Sequence, residues 1–372
     1  MTGRPLRIAV IAPLRFPIRR PHAGGLEAAV WSEVEALRAR GHEVTVVAVT
    51  GSDHVEPGSI WEMPELGWDD DAVRTDKTYP PAYETLSVPM LRRALETIGA
   101  RAADFDVISN HCLHALPLQL APQLDVPMVT TLHTPVDDDF VRAHRAAAGR
   151  GSTFLSVSEH TRREWQHAGV ASTLLANGVD PRVWTAGPGG DDLVWFGRIV
   201  PEKAPHLAVA VARSLGRRLT IAGRVGDRAY ADDVLGPLLG DDVTLAGELT
   251  PHELAALVGR SAVALATPAW AEPFGLVGPE ALMCGTPVVG FAVGGVPEIA
   301  AASVGMRLVG AGDVAAMADA VAEIWPQARD PRFRRAVRGR AVERFSLDAR
   351  TSALEEIFAS LSTRAARAEL PA

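Results

Sequence analysis

Cysteine is almost missing from this chain. Cys112 and Cys284 are the only two in 372 residues. Their separation leaves no disulfide framework and no metal-ligand spacing, and Cys284 reads as a small core residue. Long apolar runs are missing too. Behind the basic N-terminal residues, Arg7 to Ala12 is only strand length, against the roughly 20 residues that a membrane helix needs. Neither a signal peptide nor a transmembrane segment is expected, and the cytoplasm is the default location. Positive charge is short: 37 Lys and Arg stand against 45 Asp and Glu, a net −8. That balance argues against nucleic acid as the main partner and weakens the case for an anionic membrane. With 47% hydrophobic and 22% charged residues, the composition is still that of a globular protein.

The length suggests about two domains. Leu6 to Ala12 has the continuous apolar pattern of a buried parallel strand. A loop follows and ends in Gly24-Gly25. Leu26, Val30, Val34 and Leu37 then recur at helical spacing, Gly41 stops the helix, and residues 43–49 form the next strand. This unit opens a doubly wound α/β fold. The loop lacks G-x-G-x-x-G and so does not announce NAD. Arg15, Arg19 and Arg20 make it basic, as holders of an anionic acceptor group or as solvated charges. Residues 51–81 show no period and read as loops, in which Trp61, Trp68 and Tyr79 either pack or stack on an acceptor. A helix is expected over 86–103, strands over 105–109, 126–132 and 153–157, and a helix from the cap Ser158 to His167. His111 and His133 follow two successive strands, where open α/β sheets carry their ligand crevice. Asp137, Asp138 and Asp139 come next, binding acceptor hydroxyls or starting a helix.

Residues 177–192 read as the connection to a second domain, where the pattern restarts. Strands are expected over 192–196, 218–223, 242–247 and 262–266, and helices over 204–215 and 251–258. Residues 310–367 read as helical, with breaks near Pro326, Pro331 and Ser346. Arg198 and Lys203 lie around a strand end and a helix start. Arginine can grip a phosphate through two N–H groups, and lysine adds a point charge.

One run organises the rest: Glu272-Pro-Phe-Gly-Leu-Val-Gly-Pro-Glu280 and the segment through Gly290. Its glycines let backbone approach a ligand closely. Pro279 suits a first helical turn, and Gly285 suits a helix end. Glu272 and Glu280 flank an otherwise apolar loop and need partners. A helix N-terminus is a ready anion site. Diphosphate oxygens for the N–H groups and hydroxyls for the carboxylates together describe a nucleotide sugar.

A glutamate pair with seven residues between, around Phe274-Gly275-Leu276, resembles the signature of family 4 retaining glycosyltransferases of the GT-B fold. Gly197-Arg198 followed by Pro201-Glu202-Lys203 resembles the family's donor-phosphate pair, except that Ala204 replaces the usual glycine after the lysine. Gly24-Gly25, Thr131-Leu132-His133-Thr134 and Asn177-Gly178-Val179-Asp180 are also similar to family stretches. The resemblance implies two Rossmann-like domains facing an interdomain cleft. Their bounds would be 1–180 for the acceptor side and 181–348 for the donor side, with a C-terminal helix, 349–372, returning to the first. It implies retaining transfer from a nucleoside-diphosphate sugar, most commonly a UDP-sugar. No metal or other cofactor is expected, because Arg, Lys and helix N–H groups can replace a cation and the sequence shows no Cys/His ligand cluster. The acceptor would be a small-molecule, saccharide or lipid-linked hydroxyl. Gly24, Gly25, Arg198, Lys203 and the backbone of Phe274, Gly275, Leu276 and Val277 would hold the diphosphate. Glu272 would position the sugar and Glu280 the ribose. Arg224 and Leu249 would border the base, and His133 would orient donor sugar or acceptor. Arg15, His111 and Asp137 are the acceptor-side candidates. Two rivals remain: a metal-dependent single-domain transferase, suggested by Asp69-Asp70-Asp71, and a non-catalytic two-lobed nucleotide-sugar binder.

Overall fold

The computed structural model of the protein describes residues 4–68 and 78–368. Asp69 to Asp71 lie outside the described residues. Within them, the apolar runs of the two halves form two separate parallel sheets. The first comprises β1 (Arg7–Ile11), β2 (Glu43–Val49), β3 (Glu62–Met63), β4 (Val107–Asn110), β5 (Met128–Leu132), β6 (Ser152–Ser156) and β7 (Thr173–Leu174). Its order is β3-β2-β1-β4-β5-β6-β7, and every pairing is parallel. The second comprises β8 (Leu193–Phe196), β9 (Leu219–Ala222), β10 (Val243–Gly247), β11 (Val263–Ala266), β12 (Val288–Phe291) and β13 (Met306–Val309). Its order, β10-β9-β8-β11-β12-β13, repeats that of the first. In both, the order reverses beside the first strand, which is the Rossmann pattern.

The chain divides into two compact units. One is Met1–Ala176 with Leu347–Ala372, the other Asn177–Ser346. The chain therefore leaves the first unit at Ala176 and re-enters it at Leu347. Helix Leu347–Ala368 contributes Leu354 and Phe358 to the core of the first unit, each nearly without exposure. At the surface of that helix, Asp348 and Glu355 meet Arg40, and Glu355 also meets His42. The second unit has a core of its own around Leu193, Ile221, Val263, Phe291, Met317 and Ile324.

Three places depart from the local expectations, and at a fourth Asp137 takes the second of its two expected roles, a helix start. The loop 51–81 carries the short strand β3, whose two residues pair with Ala48 and Val49. Helix Leu116–Leu120 is one short turn with no readable period. Helix Asp138–Ala146 begins at Asp137, whose carboxylate accepts from the N–H groups of Asp139 and Phe140. Pro326 does not break its helix, which runs Val314–Ala328. It sits in the last turn, where little helix remains to be kinked. Trp61, Trp68 and Tyr79 pack on Phe105, Phe16 and Tyr83 respectively.

Candidate functional site

In the second unit, the loops that leave β8, β9 and β10 are tied to one another by their backbones. The Ile199 N–H donates to Arg224 O at 2.9 Å, and the Gly223 N–H donates to Gly247 O at 2.8 Å. Gly223, at φ +143°, lies so close to Gly197 that an added Cβ would stand 1.9 Å from Gly197 O. Arg198 and Arg224 thus emerge from adjoining loops, at the carboxyl ends of their strands. Leu249, half-buried, lies in the next loop, beyond β10.

Lys203 ends a single 3-10 turn, Pro201–Lys203, after β8. Thr267 fixes it there. The buried Thr267 hydroxyl accepts from Trp195 Nε1 at 3.0 Å and reaches the carbonyls of Lys203 and Ala204, each at 3.0 Å. Ala204 sits in the left-handed region at φ +46°, which costs a non-glycine residue roughly 1–2 kcal/mol. A glycine at that position would not carry this cost.

Glu272 lies in the loop after β11 and is 6% exposed. Its carboxylate accepts from Lys203 Nζ, so two groups expected to serve a donor hold each other here. The backbone of Glu272 is held from behind by Gly294 and Gly295. The Gly295 N–H donates to Glu272 O at 2.8 Å, and a Cβ on Gly294 (φ +56°) would stand 2.1 Å from that same oxygen. Gly275, at φ +96°, leaves room beside Glu272 Oε2. Arg198 lies 3.8 Å from Glu202.

Glu280 belongs to helix Val277–Met283. It is half-buried, and among the described residues no side chain or N–H group donates a hydrogen bond to its carboxyl. Desolvation pushes the carboxyl up to about 8, with the Lys203 charge opposing. The same helix is pinned at its other end by Arg338, whose guanidinium donates to the carbonyls of Met283, Trp184 and Pro181. Lys203, Glu272, Gly275, Val277 and Gly278 line an open recess of about 370 Å³ including its mouth, together with the apolar Trp195, Leu265 and Met306. Phe274 is buried beneath the loop and Leu276 is half-buried.

The first unit gathers a second polar group at the ends of β4 and β5. His133 Nε2 lies 2.9 Å from His111 Nδ1. His111 Nε2 lies 2.9 Å from Glu33 Oε1, and Ser109 Oγ donates to the same oxygen at 2.8 Å. Arg350 Nη2 donates to Glu33 Oε2 at 3.2 Å, and Arg350 Nη1 holds the carbonyls of Leu175 and Ala176. Burial works against charge on Glu33, but His111, Arg350 and Ser109 outweigh it and hold this carboxyl well below the usual range. Burial, then His111 and Arg350, press His133 well below its ordinary value, with Glu33 opposing.

His111 therefore meets His133 and not an acceptor: at 1% exposure it has no surface to offer one. Asp137 commits its carboxylate to a helix cap. Arg15, unlike the exposed Arg19 and Arg20, is buried and lies over the rings of Phe16 and Trp68. Gly24 is extended and precedes helix Gly25–Ala39 without a side-chain cap. The supports were missed by sequence reasoning: Glu33, Ser109, Arg350, Trp195, Thr267, Gly294 and Gly295. For Glu33 a signal exists, since it stands three residues after Val30 and four before Leu37, on the apolar face of its helix.

Among the described residues no helix is long and apolar enough to cross a membrane. Residues 23–183 match the family described as Glycosyltransferase Family 4, and residues 181–338 match Glycosyl transferases group 1. The chain is 33% identical over 363 residues to a D-inositol 3-phosphate glycosyltransferase of Mycolicibacterium smegmatis, covering 86% of this chain and 83% of that one. Its fold is similar to sucrose-phosphate synthase from Thermosynechococcus elongatus, at TM-score 0.76 and 21% identity over 96% of this chain and 100% of that one. It is also similar to Anabaena HepE in complex with UDP and glucose, at TM-score 0.74 and 17% identity over 95% of this chain and 100% of that one. With paired Rossmann-like sheets and these matches over both units, the chain belongs to the family 4 glycosyltransferases of the GT-B fold.

Proposed function

We propose that this glycosyltransferase moves a sugar from a nucleoside-diphosphate donor, a UDP-sugar first of all, to an acceptor hydroxyl with retention and without a metal ion. The observation that carries this reading is the contact of Lys203 with Glu272 beside the recess that both line, with Arg198 on the loop after β8 and Glu280, which feels the Lys203 charge, on helix Val277–Met283. Arg198 and Lys203 supply the positive charge that a leaving diphosphate develops against. Lys203 exchanges its present partner, Glu272, for a phosphate oxygen. Glu272 is then free to accept from sugar hydroxyls, and Glu280 from the ribose. His133 orients a hydroxyl of sugar or acceptor. The acceptor attacks from the face of the leaving group, and a diphosphate oxygen takes its proton. The name carried by the mycobacterial relative makes a phosphorylated cyclitol the first acceptor to test.

The test is turnover of UDP-sugars, read by proton NMR of the fresh product. An α-linked donor gives an α-linked product, and activity survives EDTA. Arg198→Ala and Lys203→Ala each lower kcat/KM by about 10² or more, as lost donors to a developing oxyanion do. A β-linked product, or loss of activity that Mg²⁺ restores, overturns the proposal.

A further inference from the structure

We propose that Glu33 and His111 form a buried proton store behind His133, letting His133 take up a proton at Nδ1 without becoming a cation. This rests on the reading that His133 faces a substrate hydroxyl. Glu33 and His111 touch no substrate and act as positioning residues.

The contacts constrain where the protons sit. His111 Nε2 faces the Glu33 carboxylate at 2.9 Å and Ser109 Oγ at 3.0 Å; an ionised carboxylate only accepts, so the proposal places a proton on that nitrogen. His111 Nδ1 faces His133 Nε2 at 2.9 Å, and one proton lies between them. In the resting state it belongs to His133 Nε2. His133 Nδ1 is then a bare lone pair, and among the described residues it has no hydrogen-bond partner. It can accept from a substrate hydroxyl. When a proton arrives at Nδ1, the N–H bond at His133 Nε2 breaks and a new one forms at His111 Nδ1. His133 stays neutral in its other tautomer. The positive charge comes to rest on His111, against Glu33.

Electrostatics favours that outcome. Among the described residues, the charged and titratable groups around the pair include Glu33 from helix Gly25–Ala39, Arg350 from helix Leu347–Ala368, the buried Cys112 next to His111, and the two histidines themselves at the ends of β4 and β5. A cation on His133 would feel Arg350 and burial without touching the carboxylate. A cation on His111 is in hydrogen-bond contact with it. Nothing in packing alone calls for this arrangement. Glu33 and Arg350 have side chains only 3% and 7% exposed, and burying such a pair commonly costs as much as its attraction returns. An apolar residue at position 33 would fill the same space more cheaply.

Nitrogen-15 NMR of the full chain with labelled histidine decides the matter, with His111→Gln and His133→Gln used to assign the signals. On acidification one proton enters the pair. His111 takes the imidazolium shifts, and His133 stays neutral while it changes from the Nε2–H to the Nδ1–H form. In Glu33→Gln that uptake moves to lower pH by about one unit or more, as loss of a contacting opposite charge requires. The acid limb of kcat against pH moves with it, and donor KM is unchanged. A His133 imidazolium beside a neutral His111 overturns the proposal, as does a Glu33→Gln protein that takes up its proton at the wild-type pH. If Glu33→Gln does not fold, the wild-type titration alone decides. If no sugar is transferred at all, the transferase reading fails while the NMR still tests the store.

Discussion

Among the described residues, Glu280 is the carboxyl whose protonation the fold most clearly reverses. With no hydrogen-bond donor among the described residues and with burial pushing it up to about 8, it binds its proton more tightly folded than unfolded. The sign follows from linkage. Its contribution to stability is fully present below the unfolded value of 4.5 and is lost as pH rises through about 8. Glu280→Gln has no proton to lose. Thermal melts of the ligand-free protein will therefore show the wild type falling relative to Glu280→Gln between pH 5 and pH 8.5. Parallel curves would show that this carboxyl is better solvated than its surroundings indicate. The Glu272–Glu280 pair was legible in the sequence because both residues and their glycines lie in one short run. The capture of Glu272 by Lys203 was not legible, because 69 residues separate the two and only the fold brings them together.

Elements with a strong period were legible in the same way. β1, β2 and helix Gly25–Ala39 fall where the apolar spacing puts them, within a residue or two. β3 and helix Leu116–Leu120 are too short to show a period. The residues that hold the site in place were hidden for a different reason. Gly294 matters to Glu272 only through a loop-to-loop approach, and no local pattern encodes that. The approach can be tested against an internal control. Gly294→Ala drives a Cβ into Glu272 O, whereas Gly312→Ala, at φ +76°, meets nothing within 4 Å. Both carry the strain of a left-handed alanine, more than ~1 kcal/mol. Only Gly294→Ala is expected to lower turnover beyond its effect on melting. Equal turnover in the two variants would separate the Gly294–Gly295 support from the working position of Glu272.

Across the whole molecule, the chain crosses between units twice, and within the second unit the two crossings run side by side: the Val179 N–H donates to Phe345 O at 2.8 Å, and Val179 bridges to Ser346. The second unit is therefore an insertion in the first. Ending the chain after Ser346 removes Leu354 and Phe358 from the first core, worth about 1.5–3 kcal/mol each, and it also removes Arg350 from Glu33. Whole domains are stable by only about 5–15 kcal/mol. Hydrogen exchange on such a shortened chain will show protection lost throughout β1, β4 and helix Gly25–Ala39 but kept in β8, β11 and β12. Uniform loss would mean that the units do not hold their cores independently. The same insertion reverses the usual order of events during synthesis, when domains tend to fold as they leave the ribosome. The second unit is complete once Ser346 has emerged. The first, though begun earlier, must wait with an open seam for residues 347–368, and it is the nascent first unit that a chaperone would find unfinished.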